Sequence, residues 1–148
     1  MYQIFKNGPL SWIDVRGAKK ADLEFLKKTF DFQIKDLRAS LSTVFAQRLK
    51  IKRYQDYCFI IFRFPFYDET TGAIQIEEID FFLGKKYLVT IHNGQLDKLN
   101  DIISVCKKDS ASLKAYLNKE PAALLFEILE QLLKSCFPIL DKISWDMG

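Results

Sequence analysis

The chain has 148 residues, 49% of them hydrophobic and 28% charged, with a formal net charge of +3 at pH 7. This composition is typical of a folded globular protein and excludes an intrinsically disordered segment. The length suits a single domain over residues 1–148. No run of five or more like charges marks a nucleic-acid-binding surface, so no nucleic acid partner is expected.

The first part of the sequence predicts two strands followed by two helices. Residues 2–6 and 11–15 have the composition of short strands, and Asn7-Gly8-Pro9 between them is typical of a turn. From Lys20 onward, apolar residues recur with the period of a helix. The two apolar stripes consist of Leu23, Leu26 and Phe30 in the first helix, and of Ile34, Leu37 and Leu41 in the second.

The middle of the sequence returns to strands. Residues 57–66 are apolar at nearly every position, which predicts a central strand covered on both faces. Turn residues over 67–72 and 84–86 predict two hairpins. The other predicted strands cover residues 49–53, 74–77, 79–83 and 87–91. Most of these six or seven strands are expected to pair with antiparallel neighbours.

After Asn93-Gly94 the pattern is helical to the end of the sequence. Pro121 suits the first position of a helix, and Pro138 is expected to kink or interrupt that helix because it removes a backbone hydrogen bond. The apolar stripe of this last segment comprises Leu124, Leu125, Ile128, Leu129, Leu132, Leu133, Phe137 and Leu140. The whole pattern predicts an α/β fold, a mixed six- or seven-stranded sheet between α-helical layers.

Cys58, Cys106 and Cys136 are odd in number and never spaced as C-x-x-C. We expect buried free thiols rather than a disulfide framework or a zinc site. The first residues do not have the pattern of a signal peptide, and the sequence lacks the 18 or so consecutive apolar residues of a transmembrane helix.

No constellation of catalytic residues stands out, so we expect no enzyme. Thr90 precedes the only histidine, His92, by two residues, and on a strand both side chains point to one face. Such a pair imitates a nucleophile and its base, but it has no orienting acid and no glycine elbow. Ser40, Ser42 and Thr43 form no such pair either. His92 is expected to make a hydrogen bond at a strand end, and no catalytic residue, cofactor-binding residue or required cofactor is assigned.

Four short segments, taken in order, resemble the cytoplasmic amino-terminal domain of CorA-type divalent-cation transporters. Those proteins show a Trp-(Ile/Val)-(Asp/Asn) strand, an Arg-Pro-Lys-like element, an aromatic strand and a strand end similar to Thr-Val-His. The matching segments here are Trp12-Ile13-Asp14, Gln47-Arg48-Leu49-Lys50, Tyr54–Phe62 and Thr90-Ile91-His92.

The resemblance implies a Mg²⁺/Co²⁺ (divalent cation) transporter or channel whose parent protein is a homopentamer in the cell membrane. The chain would be its soluble cytoplasmic domain, truncated before the stalk and transmembrane helices, with a part in funnel assembly and gating. The missing stalk and transmembrane helices would be the partners of this domain. Mg²⁺ or another divalent cation would be the ion that the parent protein transports or that regulates it. The alternative is a stand-alone soluble interaction or ligand-sensing domain with the same fold.

Relatives hold regulatory Mg²⁺ between neighbouring subunits with acidic pairs. At the matching positions this chain has Arg38 and Ala39 in one helix and Lys134 and Ser135 in another. Because these differences remove negative charge, we expect little regulation by Mg²⁺ at that interface. The metal-binding residues stay unassigned. The remaining acidic candidates, which an ordinary solvated face also explains, are Asp36, Glu127, Glu130, Asp141 and Asp146. The spacing of Glu127, Glu130 and Asp141 would place these three side chains on one side of a helix.

Overall fold

The computed structural model describes residues 1–41 and 50–147. Within that part of the chain, six strands form one mixed sheet in the order β1-β2-β6-β5-β4-β3. The strands are β1 (Tyr2–Asn7), β2 (Leu10–Arg16), β3 (Lys50–Arg53), β4 (Tyr57–Asp68), β5 (Ala73–Gly84) and β6 (Tyr87–His92). The helices are α1 (Lys20–Phe30), α2 (Ile34–Ala39), α3 (Asp97–Lys108), α4 (Ser110–Tyr116), α5 (Pro121–Ser135) and α6 (Phe137–Met147).

Strands β2 and β6 are the parallel pair of the sheet, and the other neighbouring strands are antiparallel. A parallel pair requires a long crossover, which here contains α1, α2 and three strands. In the register of this pair, Trp12 lies opposite Leu88 and Asp14 lies opposite Thr90. The carboxyl ends of β2 and β6 therefore meet at one edge of the sheet.

Helices cover both faces of the sheet, so the predicted α/β fold with a mixed sheet between helical layers is confirmed. On one face, α3 and α5 enclose a core that contains the fully buried Trp12 and Phe81. On the other face, α1 and α2 enclose a second core around Phe32 and Phe82. The alternation of side chains along each strand divides the apolar residues between these two cores.

The described part of the chain contributes six strands to the sheet, since one predicted break does not occur. Residues 74–77 and 79–83, which the sequence pattern separates, belong to the single strand β5. Its antiparallel register with β4 runs without interruption from the pair Asp68 and Ala73 to the pair Tyr57 and Gly84. The acidic Glu77-Glu78 sequence continues the ladder, so its polarity does not end the strand.

Strand β4 is next to the edge of the sheet instead of at its centre, contrary to the prediction. It pairs with β5 along its whole length, and among the described residues its pairing with β3 runs from Cys58 to Ile61. The predicted burial on both faces is confirmed in this first half, where Phe59 and Ile60 belong to different cores. The strand predicted over 49–53 corresponds to β3, and residues 47–49 lie outside the described residues.

The chain interrupts its last long helix near Pro138, as predicted. Helix α5 ends at Ser135, and Pro138 is the second residue of α6, where a missing N–H costs least. The predicted apolar stripe is buried at Leu124, Leu125, Ile128 and Leu132, but it does not continue into the core at Leu133, Phe137 and Leu140, which are exposed. Among the helices that the structure describes, none combines enough length with enough apolar character to span a lipid bilayer.

Candidate functional site

Asp36, the first acidic candidate from the sequence, is buried and serves the interior of the protein. Its Oδ2 accepts a hydrogen bond from the Tyr57 hydroxyl at 3.2 Å, and its Oδ1 lies 3.5 Å from Lys52 Nζ. Burial raises the pKa of Tyr57 to about 12, so its hydroxyl keeps its proton and donates. The carboxylate thus joins α2 to strands β3 and β4, with protein groups on both oxygens.

The other acidic candidates lie on or after α5. Glu127 Oε1 accepts a hydrogen bond from Gln131 Nε2 at 2.8 Å, and Glu130 Oε1 lies 3.4 Å from Lys134 Nζ. Asp141 is exposed on α6, and the side chain of Asp146 is outside the described part of the chain. Glu127 and Glu130 lie on α5, whereas Asp141 lies on the next helix, α6. Over the described ranges, no group of three or more His, Cys, Asp or Glu side chains is arranged to hold a metal ion.

The four positions that the sequence resemblance matches with acidic pairs contribute no carboxylate. Arg38 is exposed on α2, and Ala39 next to it is half-buried. Lys134 makes the ion pair with Glu130 near the end of α5, while the Ser135 hydroxyl donates to the Leu132 carbonyl at 2.6 Å. Two of the four positions therefore carry positive charge.

His92 belongs to a buried polar network at the paired ends of β2 and β6. Its Nε2 lies 2.8 Å from Asp14 Oδ1, and the Thr90 hydroxyl donates to the same oxygen at 2.6 Å. Trp12 Nε1 donates to Thr90 Oγ1 at 3.0 Å. The Gly94 N–H donates to His92 Nδ1 at 3.0 Å, so Nδ1 is the accepting nitrogen and Nε2 carries the proton that reaches Asp14.

The geometry of this network indicates a structural role. It nevertheless contains Asp14, the acid next to Thr90 and His92 that the sequence pattern did not reveal. Thr90 and His92 do point to one face, and Asp14 from the parallel neighbour lies against both. The Thr90 hydroxyl, however, donates to Asp14 rather than to His92, and Thr90 is completely buried. The expected hydrogen bond of His92 at a strand end is confirmed. Ser40, the other hydroxyl candidate that the structure describes, donates to the Asp36 carbonyl at 3.3 Å, and residues 42 and 43 lie outside the described residues.

A pocket of about 360 Å³ opens beside the carboxyl end of β6. Glu77, which is buried, accepts hydrogen bonds from the backbone N–H groups of Asn93 and Gln95 and thereby fixes the loop after β6. At the other side of the pocket, Asp68 Oδ1 accepts from the Thr70 N–H at 2.9 Å and its Oδ2 from Gln75 Nε2 at 3.1 Å. Both carboxylates line the pocket with their oxygens already hydrogen-bonded.

Asp80 is the unusual member of this pocket. The residue is 2% exposed, and its Oδ1 has no hydrogen-bond partner among the described residues. Burial, together with the neighbouring Glu78 carboxylate, raises the pKa of Asp80 to about 8, against the opposing effects of Ser40 and Arg63. Glu78 Oε1 lies 3.7 Å from Arg63 Nε on the paired strand. The ionised form of Asp80 is thus poorly compensated by its surroundings.

The sequence analysis did not identify the roles of Asp14 and Asp80, and the structure shows why. Asp14 meets His92 only through the parallel pairing of β2 and β6, which the local pattern does not encode. Asp80 stands in the apolar sequence Ile79-Asp80-Phe81, and a lone carboxylate within a buried strand was the available signal.

The other unusual surface is an apolar stripe on α5 and α6. Phe126, Leu133, Phe137 and Leu140 are exposed, each by more than half of its surface. Their spacings of seven, four and three residues are those of one helical side, although Pro138 and the break at Cys136 separate the two helices. The opposite side of α5 is buried against the sheet through residues such as Ile128.

The sequence matches the family model described as CorA-like Mg²⁺ transporter protein over residues 7–146. It is 28% identical over 153 residues to a protein of Bacillus subtilis (strain 168) named "Putative metal ion transporter YfjQ". This similarity covers 97% of the chain and 45% of that protein. The chain therefore spans less than half the length of this relative.

Two solved structures share the fold. The complete structure of the CorA magnesium transporter from Methanocaldococcus jannaschii superposes with a TM-score of 0.72 and 21% identity, over 95% of this chain and 42% of that chain. The soluble domain of CorA from the same organism gives a TM-score of 0.70 and 20% identity, over 93% of this chain and 52% of that chain. The six-stranded mixed sheet with helices on both faces is thus the architecture of these soluble domains.

Proposed function

Because the chain belongs to the family of CorA-like Mg²⁺ transporter proteins, we propose that it is the cytoplasmic domain of a divalent metal ion transporter or channel. Its parent protein lies in the cell membrane and carries Mg²⁺, Co²⁺ or a related divalent cation. The domain forms part of a funnel wall, and its packing biases the pore between closed and open states. It catalyses no reaction.

The observation that carries this proposal is the family match over nearly the whole chain. The relative in Bacillus subtilis is about twice as long as the part that the chain matches. A domain that forms less than half of a transporter acts on the pore only through a surface that contacts the remainder of the protein.

The apolar stripe of Phe126, Leu133, Phe137 and Leu140 is the surface best suited to that contact. A row of exposed large apolar side chains along a helix is typical of an interaction site. We assign it to the remaining helices of the longer protein and to neighbouring copies in a homopentamer. If the apolar stripe is buried more in one state of the pore than in the other, that difference in burial supplies the free energy that shifts the equilibrium between the closed and open states.

Divalent cations are not expected to control this domain through the positions used by relatives. Arg38 and Lys134 place positive charge where bound Mg²⁺ requires oxygen ligands. The packing of the apolar stripe, instead of an ion bridge at these positions, is therefore the proposed link between copies.

The test begins with the native gene downstream of codon 148. Two apolar stretches of about twenty residues there are expected, since each of that length spans a bilayer. In the protein made from the complete gene, Leu133→Asp combined with Phe137→Asp should abolish the pentamer in analytical ultracentrifugation. Lys85→Asp in the β5–β6 turn, away from the stripe, is the matched control. A stop codon after residue 148 would leave the stand-alone interaction domain as the better reading, and an intact pentamer in the double variant would refute the role of the stripe.

A further inference from the structure

A groove of about 510 Å³ lies between α1 and α2, on the face of the sheet opposite α5. Its apolar surface comes from Leu23, Leu37, Ile34 and Leu41. The first two are buried and form the floor, whereas Ile34 is 51% exposed and Leu41 is 42% exposed. This surface, called the α1–α2 groove below, is separate from the apolar stripe of α5 and α6.

The charged residues that border the α1–α2 groove are mostly cationic. Four cations and one acid line it, namely Lys20, Lys27, Lys28, Arg38 and Glu24. Lys27 is engaged by Asp31, whose Oδ1 lies 2.7 Å from its Nζ. The other three cations are exposed and form no ion pair within the described ranges. An occupant of this groove therefore combines an apolar face with negative charge.

The apolar stripe has the complementary charge. Glu127 and Asp141 each directly follow a residue of the stripe, are exposed, and form no ion pair in the part of the chain that the structure describes. The two cations of the same helices are engaged, because Lys134 pairs with an acid of α5 and the Lys142 ammonium lies 3.5 Å from the centroid of the Tyr67 ring. The stripe thus presents uncompensated acids, and the groove presents uncompensated cations.

A ring of identical copies needs two different contact surfaces on each copy. In a cyclic assembly of more than two subunits, neighbouring copies meet head to tail, so one patch contacts a different patch on the next copy. The apolar stripe is one such surface in the proposed homopentamer, and in a ring it does not pack against itself. The α1–α2 groove lies on the other side of the sheet, which is a placement that a head-to-tail contact requires.

We propose that the α1–α2 groove of one copy receives the apolar stripe of the neighbouring copy. The large apolar side chains of the stripe pack on Leu23 and Leu37, and Lys28 and Arg38 face the acids that accompany the stripe. A helix that places its apolar face in a groove is a common mode of recognition. This inference rests on the proposed function, because the contact is assigned to the homopentamer of the parent protein.

Two variants of the chain, each with one surface blocked, test this contact. Ile34→Asp blocks the groove and leaves the stripe intact, whereas Leu133→Asp blocks the stripe and leaves the groove intact. Unlabelled Leu133→Asp is added to ¹⁵N-labelled Ile34→Asp up to millimolar concentration. We expect saturable changes in the amide signals of Phe126 and Leu140, on the stripe of the labelled copy. Unlabelled Ile34→Asp, whose groove is blocked, is the matched control and should produce none.

Charge reversal tests the same contact with a milder change. Arg38→Glu in the unlabelled partner should weaken binding several-fold at low ionic strength, because it places an acid against the acids of the stripe. Lys35→Glu, at an exposed position of α2 that does not line the groove, should leave binding unchanged. Glu127→Lys in the labelled copy should restore the affinity that Arg38→Glu removes. The amide spectrum of each variant reports its folding.

The surfaces of neighbouring copies in a ring have a high effective concentration, so a contact that operates there needs only modest affinity. The absence of saturable changes at millimolar concentration, or equal changes with the control, would refute the inference. Divalent cation flux through the protein made from the complete native gene decides the proposed function separately. Flux without a contact between groove and stripe would overturn this inference alone, whereas the absence of flux would overturn the proposed function.

Discussion

His92 and Asp14 form a buried contact across the parallel strands β6 and β2, with 2.8 Å between Nε2 and Oδ1. The two residues are 78 positions apart in the sequence. Thr90 and Trp12 extend the contact, because Trp12 Nε1 donates to Thr90 Oγ1 and the Thr90 hydroxyl donates to Asp14 Oδ1. Because satisfied buried networks define one arrangement of a core, this group fixes the register of the only parallel pair among the described strands.

Thr90→Val should destabilise the domain by about 1–3 kcal/mol. Valine keeps the shape of threonine but leaves Trp12 Nε1 without an acceptor and takes one donor from Asp14. Urea unfolding followed by tryptophan fluorescence measures the change. Thr70→Val, at an exposed position in the β4–β5 turn, should change the free energy of unfolding by less than about 0.5 kcal/mol. Similar values for the two variants would show that the network contributes little.

Asp80 should make the domain less stable as the pH rises from about 4 to about 8. Folding raises the pKa of this carboxyl from 3.8 to about 8, so in this window the folded chain holds a proton that the unfolded chain has released. The stabilising contribution of this bound proton is complete at a pH below 3.8. It is lost as the pH rises through about 8. For one proton the slope is at most about 1.4 kcal/mol per pH unit.

The comparison that isolates this effect is between the native chain and Asp80→Asn, whose residue 80 does not titrate. Urea unfolding at a series of pH values should show Asp80→Asn gaining stability relative to the native chain as the pH increases. The other titrating groups are common to both proteins and cancel in the difference. Parallel curves for the two proteins would contradict the raised pKa.

Leu132 and Leu133 are neighbours on α5 with opposite environments, since Leu132 is 1% exposed and Leu133 is 59% exposed. Leu132→Ala should cost about 2–5 kcal/mol because it leaves a cavity in the core against the sheet. Leu133→Ala should change the stability of the isolated chain by less than about 0.5 kcal/mol. The matched pair is compared by thermal unfolding. A large loss for Leu133→Ala would mean that the stripe is covered within the isolated chain.

Millimolar Mg²⁺ should barely change the melting temperature of the isolated chain, which we expect to be monomeric or weakly associating. Arg38 and Lys134 place positive charge at two positions that the family resemblance matches with acidic residues. A ligand at about 100 times its dissociation constant adds about 2.7 kcal/mol to the free energy of unfolding, so a real site would be evident. Differential scanning fluorimetry with Mg²⁺, and with K⁺ at equal ionic strength, makes the comparison. A clear rise with Mg²⁺ alone would reveal a site among these residues.

The sequence was sufficient for most of the fold because local patterns encode the elements. The strand-like composition of residues 11–15 and 87–91, the helical period from Lys20, and the proline at position 138 each predict a local structure. The layered arrangement follows, because apolar residues on both sides of the sheet need helices on both faces. The split of β5 was wrong because a charged pair within a strand remains compatible with an unbroken ladder.

The polar sites were less accessible to prediction because they depend on contacts between distant parts of the chain. Asp14 contacts His92 because β2 and β6 are parallel neighbours in the sheet. The local sequence of neither strand predicts that they are neighbours. Asp80 faces a pocket that forms only when β5 extends beyond the end of β6. Exposure of Leu133 was also unpredictable from periodicity, which identifies an apolar face without identifying what covers it.

The most direct test of the account is divalent cation flux through the protein made from the complete native gene. The protein is reconstituted in liposomes that contain a Mg²⁺-sensitive dye, and the internal signal is followed after Mg²⁺ or Co²⁺ is added outside. We predict flux above that of protein-free liposomes, altered by the double substitution Leu133→Asp and Phe137→Asp but not by Lys85→Asp. The absence of flux for both cations, from a correctly folded and inserted protein, would contradict the assignment of this chain to a divalent cation transporter.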